Sequence, residues 1–322
     1  MNKISQSMPI ISVIIPTYNS EKTIKYTIES VLHQTFTNFE IIIINDGSQD
    51  STLDIISQIN DARIKVFSFD NAGANVSRNR GLKLACGEFV SFLDSDDLWT
   101  SNKLEQQLEA LQQNYGAVVA YSWTDYINEK GEFLLSGTHI AVNGDVYEQL
   151  LVTNFFENGS NPLIKKYALI ELGGFDECLE AGQDWDMWLR LAAKYHFVAV
   201  PSVQILYRIS PNSLSSNLIR QEKVSLQVLE KSYKQRPATF QDTWNKSLAN
   251  IYKYLLCKSL QPPLNRQKAF LGAKFLWKFF INDQYRFQRN SFNLRILMKI
   301  VMIILLPPNF IEAFLTSINN NR

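Results

Sequence analysis

Three carboxylates fall within four positions of FLDSDDLW, residues 92–99: Asp94, Asp96 and Asp97, directly behind the apolar run EFVSFL. Two unit charges about 4 Å apart at an effective dielectric of about 20 repel by roughly 4 kcal/mol. Such a cluster must fan into water, take up a proton or gather a cation. Hard oxygen ligands suit magnesium or manganese, which bind one or two carboxylates together with substrate phosphates. The competing reading is helix capping, because Ser95, Asp96 and Asp97 stand just before LWTSNKLEQQLEALQQ, and Ser and Asp are ordinary caps.

Other residues offer related chemistry. Asp46, in NDGSQDST, is a carboxylate that could accept hydrogen bonds from a base or sugar, or the start of a turn capped at Ser48 or Asp50. Arg78 and Arg80, in GANVSRNRG, could clamp a diphosphate or form surface ion pairs. Two apart on a helix, they point to different faces, so at most one is expected at a shared rim. QDWDMWLRLA reads as an amphipathic helix with Asp184 as its cap, Trp185, Trp188 and Leu189 facing inward, and Asp186 as a first-turn charge favoured by the helix dipole. His33, His139 and His196 are isolated, fit no triad spacing, and read as structural or surface residues.

Alternating elements must position these groups. ISVIIP (11–16), FEIIIIND (39–46), IKVFSF (64–69) and EFVSFL (88–93) read as strands, separated by the helices SEKTIKYTIESVLHQ, STLDIISQI and NVSRNRGLKLA. Apolar strands alternating with helices imply a parallel sheet covered on both faces, whose ligands bind outside the carboxyl ends of the strands. The loops at those ends are PTYNS, NDGSQD, DNAGANVSRNR and DSDD, so the acidic cluster is one of four loops expected on one rim. Farther on, AVVAYSW reads as a strand, INEKGEFLL as a hairpin at Lys130 and Gly131, and FVAVPSVQILYRIS as a strand pair or one bent strand. The chain turns helical beyond Ser215.

Composition narrows the class. The 46% hydrophobic content over 322 residues is that of a globular chain with a sizeable core. Cys86, Cys178 and Cys257 match no metal or redox spacing and are expected to be buried thiols of a reducing compartment. The N-terminal apolar run is too short for a signal-peptide core, so no export is expected. No GxGxxG or GxxxxGK loop occurs, which disfavours a dinucleotide oxidoreductase and a P-loop hydrolase. The net charge of +1 hides a segregation: residues 1–200 hold 14 Lys+Arg against 26 Asp+Glu, and residues 201–322 hold 18 against 5.

SVIIPTYN, NDGSxDxT, GxxxSRNxGLxxAxGE, FLDSDD, GGFDE, QDWDMWLRLA and YRISPNSLS, in that order over residues 8–216, resemble glycosyltransferase family 2. The resemblance implies the GT-A fold, a Rossmann-like, mostly parallel sheet covered by helices, over residues 1–216, with residues 217–322 as a basic helical extension. It implies inverting transfer from a nucleotide-diphosphate sugar to a glycan or lipid-linked acceptor. On that pattern Pro16, Thr17, Tyr18 and Asn19 line the nucleotide pocket, Asp46 holds the base, and Arg78 lies near the nucleotide. Asp94 and Asp96 match the DxD motif, Asp96 as the direct ligand of Mn2+ or Mg2+ and Asp94 nearer the ribose or sugar. Asp184 inherits the general base, a role a carboxylate suits because it must take a proton from the acceptor hydroxyl.

The chain departs from the pattern twice. Gln183 replaces the usual Glu, removing a neighbouring charge that could raise the base's pKa, and Ser210 stands where a histidine is common. A scaffold that has lost catalysis is opposed by the presence of Asp46, Asp94, Asp96 and Asp184, and a sugar nucleotidyltransferase by the missing glycine-rich phosphate loop.

From Asn265 to Ile300 eight cations face one anion, Asp283, among FLWKFF, YRF and LRILMKIVMIILL. No nucleic-acid module accompanies them. Basic helices carrying Trp, Phe and Leu lie in membrane interfaces, helped by about 1 kcal/mol per cation near anionic lipid. IVMIILL (300–306), closed by Pro307 and Pro308, is too short to span. A peripheral position on the cytoplasmic face of the membrane is expected, and a helical subdomain packing on itself or on a partner subunit is the alternative.

Overall fold

The computed structural model describes residues 8–209, 217–235, 241–261, 264–283 and 290–305. Ser210, Pro307 and Pro308 lie outside them. The chain forms two compact units, residues 1–150 with 154–213, and residues 151–153 with 214–322.

The first unit is built on a nine-stranded sheet. Strands β1 (Ile11–Thr17), β2 (Phe39–Asp46), β3 (Ile64–Phe69) and β4 (Phe89–Phe92) run parallel in the order β3-β2-β1-β4. Between them in sequence lie helices α1 (Ile24–Leu32), α2 (Thr52–Ser57) and α3 (Ala74–Leu84). β1 and β2 are buried along their whole length, as continuous Ile and Val runs require when both faces are covered. Ile11, Val13 and Ile15 point into one core with Ile24, Ile28 and Val31 of α1 and Ile41 and Ile43 of β2. Ile14 points the other way, against α3, where a Cβ on Gly81 would stand 2.3 Å from its Cγ2.

Beyond β4 the sheet turns mixed, in keeping with the mostly parallel sheet expected. β5 (Leu98–Trp99) is followed by helix α4 (Lys103–Gln113), β6 (Ala117–Ile127) and β7 (Phe133–Ser136). Helix α5 (Tyr147–Val152), β8 (Leu163–Lys165), helix α6 (Lys166–Glu171), helix α7 (Gln183–Ala192) and β9 (His196–Arg208) come next. β8 pairs antiparallel with both β4 and β6, β9 parallel with β6, and β5 antiparallel with β9. The β6–β7 hairpin turns at Lys130 and Gly131, as its sequence suggests, with Asn128 N–H donating to Glu132 O at 2.9 Å. The run 196–208 is a single strand with register shifts opposite Ser122–Thr124.

The second unit holds helices α8 (Leu218–Gln235), α9 (Gln241–Ser259), α10 (Arg266–Asn282) and α11 (Asn290–Leu305). Among the described residues no helix is long and apolar enough to cross a membrane. Cys86, Cys178 and Cys257 correct the expectation of buried thiols: all three are free and exposed. They sit in the turn after α3, in the loop before α7 and on an outward position of α9, where no core claims them.

Candidate active site

The four loops at the carboxyl ends of β1, β2, β3 and β4 meet, and side chain to backbone bonds fasten them. Asn19, in the left-handed region at φ 48°, accepts Gln49 N–H on its Oδ1 at 2.8 Å, while its own N–H donates to Ser48 Oγ at 3.0 Å. Glu21 and Asp50 repeat the exchange one turn away, through Ser51 N–H and Glu21 N–H. Asn19 thus fastens the first loop to the second. Pro16 and Thr17 are buried at the end of β1, whereas Tyr18 is exposed at the rim. Ser48 and Asp50 are loop fasteners too, and Asp50 also caps as expected, its Oδ1 accepting the N–H of Thr52, the first residue of α2, at 3.0 Å; Ser48 does not cap, and the Ser51 side chain forms no cap bond.

Asp46 is committed within the protein. Its Oδ1 accepts Ala72 N–H at 2.9 Å and Oδ2 accepts Gly73 N–H at 2.7 Å, so the loop after β3 closes onto the end of β2. Arg80 Nη1 lies 3.3 Å from the same carboxylate. Arg78 forms an ion pair with Asp94. Both arginines therefore reach strand-end carboxylates, which corrects the expectation that at most one would. The two faces of α3 on which they lie look toward different strand ends, β2 and β4, and an arginine side chain spans the remaining distance.

The three clustered carboxylates have three different environments. Asp94 is half-buried against Arg78, which is only 4% exposed. Asp97 turns fully inward: Ser160 O–H donates to its Oδ2 at 2.5 Å and Arg208 N–H to its Oδ1 at 3.0 Å. Asp97 is therefore not a helix cap, and α4 begins six residues later with Asn102 in the preceding position. Burial and the charges of Asp96 and Asp94 push its pKa well above the ordinary carboxylate value. Asp96 makes no ion pair among the described residues, and burial together with the Asp94 charge pushes its pKa up to about 6.

The backbone of this acidic loop is held from below. Thr27 Oγ1 of α1 donates to Ser95 O at 3.0 Å and Asp97 O at 2.9 Å, and Arg208 Nε donates to Asp96 O at 2.8 Å. Ser160 Oγ accepts Asp94 N–H at 3.0 Å. Arg208 and the segment Asn158–Asn161 escaped the sequence reading; the polar run NGSN between Glu157 and Pro162 was the available signal.

Helix α3 also places the remaining acid. Asn79 exchanges two bonds with Phe175, Nδ2 to O at 2.9 Å and N–H to Oδ1 at 2.8 Å, and Asn75 Nδ2 donates to Leu179 O at 2.8 Å. These bonds fix the turn at Gly174 and the loop into α7, whose second residue is Asp184. Gly182, left-handed at φ 64°, precedes the helix; the Asp184 carboxylate accepts its neighbour's N–H, from Trp185 at 2.8 Å, and does not cap the helix start. Asp184 senses both Arg78 and Asp94 electrostatically; burial raises its pKa, Arg78 lowers it, and Asp94 raises it further. Trp185 and Trp188 pack inward as expected. Asp186 lies in the first turn of α7, as expected, and is also a buried partner of Arg190 at 2.8 Å.

The arrangement brings Arg78 of α3 against Asp94 at the carboxyl end of β4, with Asp96 beside it, and Asp184 at the start of α7 within electrostatic reach of both. The chain matches the glycosyltransferase-like family 2 model over residues 12–259. It belongs to that family. An Escherichia coli protein described as UDP-Glc:alpha-D-GlcNAc-diphosphoundecaprenol beta-1,3-glucosyltransferase WfgD is 33% identical over 225 residues, 68% of this chain and 85% of that protein. An uncharacterized glycosyltransferase of Rickettsia bellii is 33% identical over 241 residues, 71% of this chain and 34% of its own length. The chain spans between 34% and 41% of the three Rickettsia relatives of this kind. The crystal structure of S. aureus TarS 1–349 in complex with UDP-GlcNAc superposes with a TM-score of 0.57 at 20% identity, covering 88% of this chain and 91% of that one, and shares its GT-A fold.

The donor set suits a divalent cation in part. Asp96 forms no salt bridge among the described residues, and although Arg208 offsets part of its charge, a bound cation would relieve its repulsion from Asp94. Among the described residues no group of three or more His, Cys, Asp or Glu forms a metal cage. Asp94 and Asp96 together would supply the protein's share of an oxygen shell completed by substrate phosphates and water, the usual mode for Mg2+.

Proposed function

We propose that this chain is an inverting glycosyltransferase that moves a sugar from a nucleotide-diphosphate donor to a glycan or lipid-linked acceptor in cell-surface polysaccharide synthesis. The observation that carries the reading is the convergence of Arg78, Asp94 and Asp184, from α3, the loop after β4 and α7, on one rim of a glycosyltransferase family fold. Asp184 takes the proton of an acceptor hydroxyl as that oxygen forms its bond to the anomeric carbon and the bond to the diphosphate breaks. Arg78, whose Nε and Nη1 are buried without a hydrogen-bond partner, faces the negative charge that grows on the departing diphosphate. Asp94 and Asp96 would hold Mn2+ or Mg2+, which when bound offsets charge on that leaving group. The loops carrying Pro16, Thr17, Tyr18, Asn19 and Asp46 form the nucleotide pocket, with Asp46 shaping it through the Ala72–Gly73 turn.

The relative WfgD is described by an acceptor carried on diphosphoundecaprenol, which supports a lipid-linked acceptor here and peripheral residence on the cytoplasmic membrane surface. Incubation with a panel of nucleotide sugars and candidate acceptors, with and without Mn2+ or Mg2+, tests the function by release of nucleoside diphosphate. Release that disappears in Asp184→Ala supports transfer. Pyrophosphate exchange would indicate a nucleotidyltransferase, and silence across the panel would favour a scaffold.

A further inference from the structure

We propose that the helices of the second unit carry two faces that lie flat on an anionic lipid surface, one on α10 and one on α11. The proposal deepens, and rests on, the membrane residence given above. Along α10 Phe270, Lys274, Trp277 and Ile281 are exposed at spacings of four, three and four residues, so they form one stripe along the helix, with Arg266 and Gln267 exposed in its first turn. Trp277 is 65% exposed and Phe270 60%. The opposite side of α10, with Ala269, Gly272, Phe275 and Phe279, is buried.

α11 repeats the pattern. Leu294, Met298, Val301 and Leu305 are exposed at the same spacing, Leu305 by 70%, while Ile300 and Ile303 are buried. Gly272 of α10 faces both α9 and α11, because a Cβ there would stand 2.7 Å from Ser259 Oγ and 3.7 Å from Ile300 Cδ1. Each helix thus packs one apolar side within the unit and turns a second apolar side outward. The outer sides mix these apolar side chains with cations, Arg266 and Lys274 on α10 and Arg295 on α11, where a helix amphipathic only toward its own core would carry polar groups alone.

Charge selects the occupant. Residues 201–322 carry 18 Lys+Arg against 5 Asp+Glu, and Arg266 and Arg295 are exposed on the same two helices. Basic helices that present Trp, Phe and Leu bury those side chains at the headgroup boundary and set their cations against anionic headgroups. No described helix is long and apolar enough to span, and Arg295 and Lys299 within α11 oppose burial across a bilayer. Lys274 and Lys278 are partly neutralised by Glu222, at 2.7 and 3.0 Å, so their stems add apolar cover to the α10 face.

Flotation of the full chain on vesicles of phosphatidylcholine alone, or mixed with phosphatidylglycerol, tests this. The parent floats with the mixed vesicles, and Trp277→Glu and the double variant Met298→Glu/Val301→Glu each lower the bound fraction about tenfold or more. Tyr115→Glu, at an exposed site of the first unit, floats as the parent does, and circular dichroism confirms that every variant is folded. The proposal is overturned if the parent does not float, if the variants float as well as the parent, or if sedimentation shows that the faces bind a second copy of the chain and no lipid. Nucleoside diphosphate release is measured on the same samples. Lost release with intact flotation defeats the transferase reading alone, and intact release without flotation defeats the lipid faces alone.

Discussion

Asp97 Oδ1 accepts the backbone N–H of Arg208 at 3.0 Å, so a carboxylate on the loop after β4 is fastened to the last residue of β9, 111 positions along the chain. The other oxygen takes Ser160 O–H, and Ser160 in turn accepts Asp94 N–H. Asp97 thereby fixes the backbone that carries Asp94 and Asp96. Its replacement by alanine strands two buried donors, at a cost of about 3 kcal/mol. Asp97→Ala should lower the urea midpoint with the slope unchanged, and Asp97→Asn, which keeps the size and one acceptor, should cost about half as much. Equal midpoints for Asp97→Ala and the parent would remove Asp97 from this positioning role.

Asp46 closes the loop after β3 through Ala72 and Gly73. Asparagine would turn an NH2 group toward one of those two backbone donors, leaving it unsatisfied. We expect Asp46→Asn to lose about 1–2 kcal/mol of stability and to raise the donor KM about tenfold, with a smaller change in kcat, because the pocket deforms while the proton acceptor stays in place. A fall confined to kcat would place Asp46 in the chemical step instead.

The rim was readable in advance because parallel strands of the Ile and Val kind announce themselves as continuous apolar runs, and the loops at their carboxyl ends are short and polar. Asp46, Arg78, Asp94, Asp96 and Asp184 came from that pattern and from motif order. What escaped was set by pairing over long sequence separations. β5 has two residues and no periodicity, and β8 has three; each exists because a neighbouring strand holds it. The inward turn of Asp97 depends on Ser160 and Arg208, 63 and 111 residues away. Lys103 reads as an ordinary solvated lysine at a helix start, yet it is fully buried, 2.5 Å from Ser91 Oγ and 3.8 Å from the centroid of the Trp99 ring.

Gly81 lets α3 approach β1. An alanine Cβ would stand 2.3 Å from Ile14 Cγ2, and Ile14 is wholly buried. The helix would have to lift, and it carries Arg78, Asn79 and Arg80 together. Gly81→Ala should therefore destabilise by about 1–3 kcal/mol despite alanine's better helix propensity. Thermal unfolding checks the sign, and a stabilised variant would show that α3 has room on β1.

Asp96 forms no salt bridge among the described residues and feels the charge of Asp94 beside it. On the proposed reading, chelation of divalent ions and Asp96→Ala should each lower nucleoside diphosphate release about 100-fold or more, and Mn2+ should rescue the chelated parent but not the variant. A variant that keeps its release and its Mn2+ dependence would move the cation away from Asp96.

Gln183 offers a test of the proton acceptor that leaves Asp184 in place. Burial, then the charge of Asp94, raises the Asp184 pKa, while Arg78 opposes the shift. A general base works ionised, so kcat/KM rises with pH through that pKa and is lost as pH falls below it. Stability runs the other way. A carboxyl that binds its proton more tightly in the native state makes folding less favourable as pH rises from the unfolded pKa through the raised one. Gln183→Glu adds a like charge on the adjacent residue and should move the acid limb of kcat/KM about one unit toward higher pH, whereas Gln183→Ala should leave it in place. An acid limb unmoved by Gln183→Glu, at full folding, would mean that some other group receives the proton.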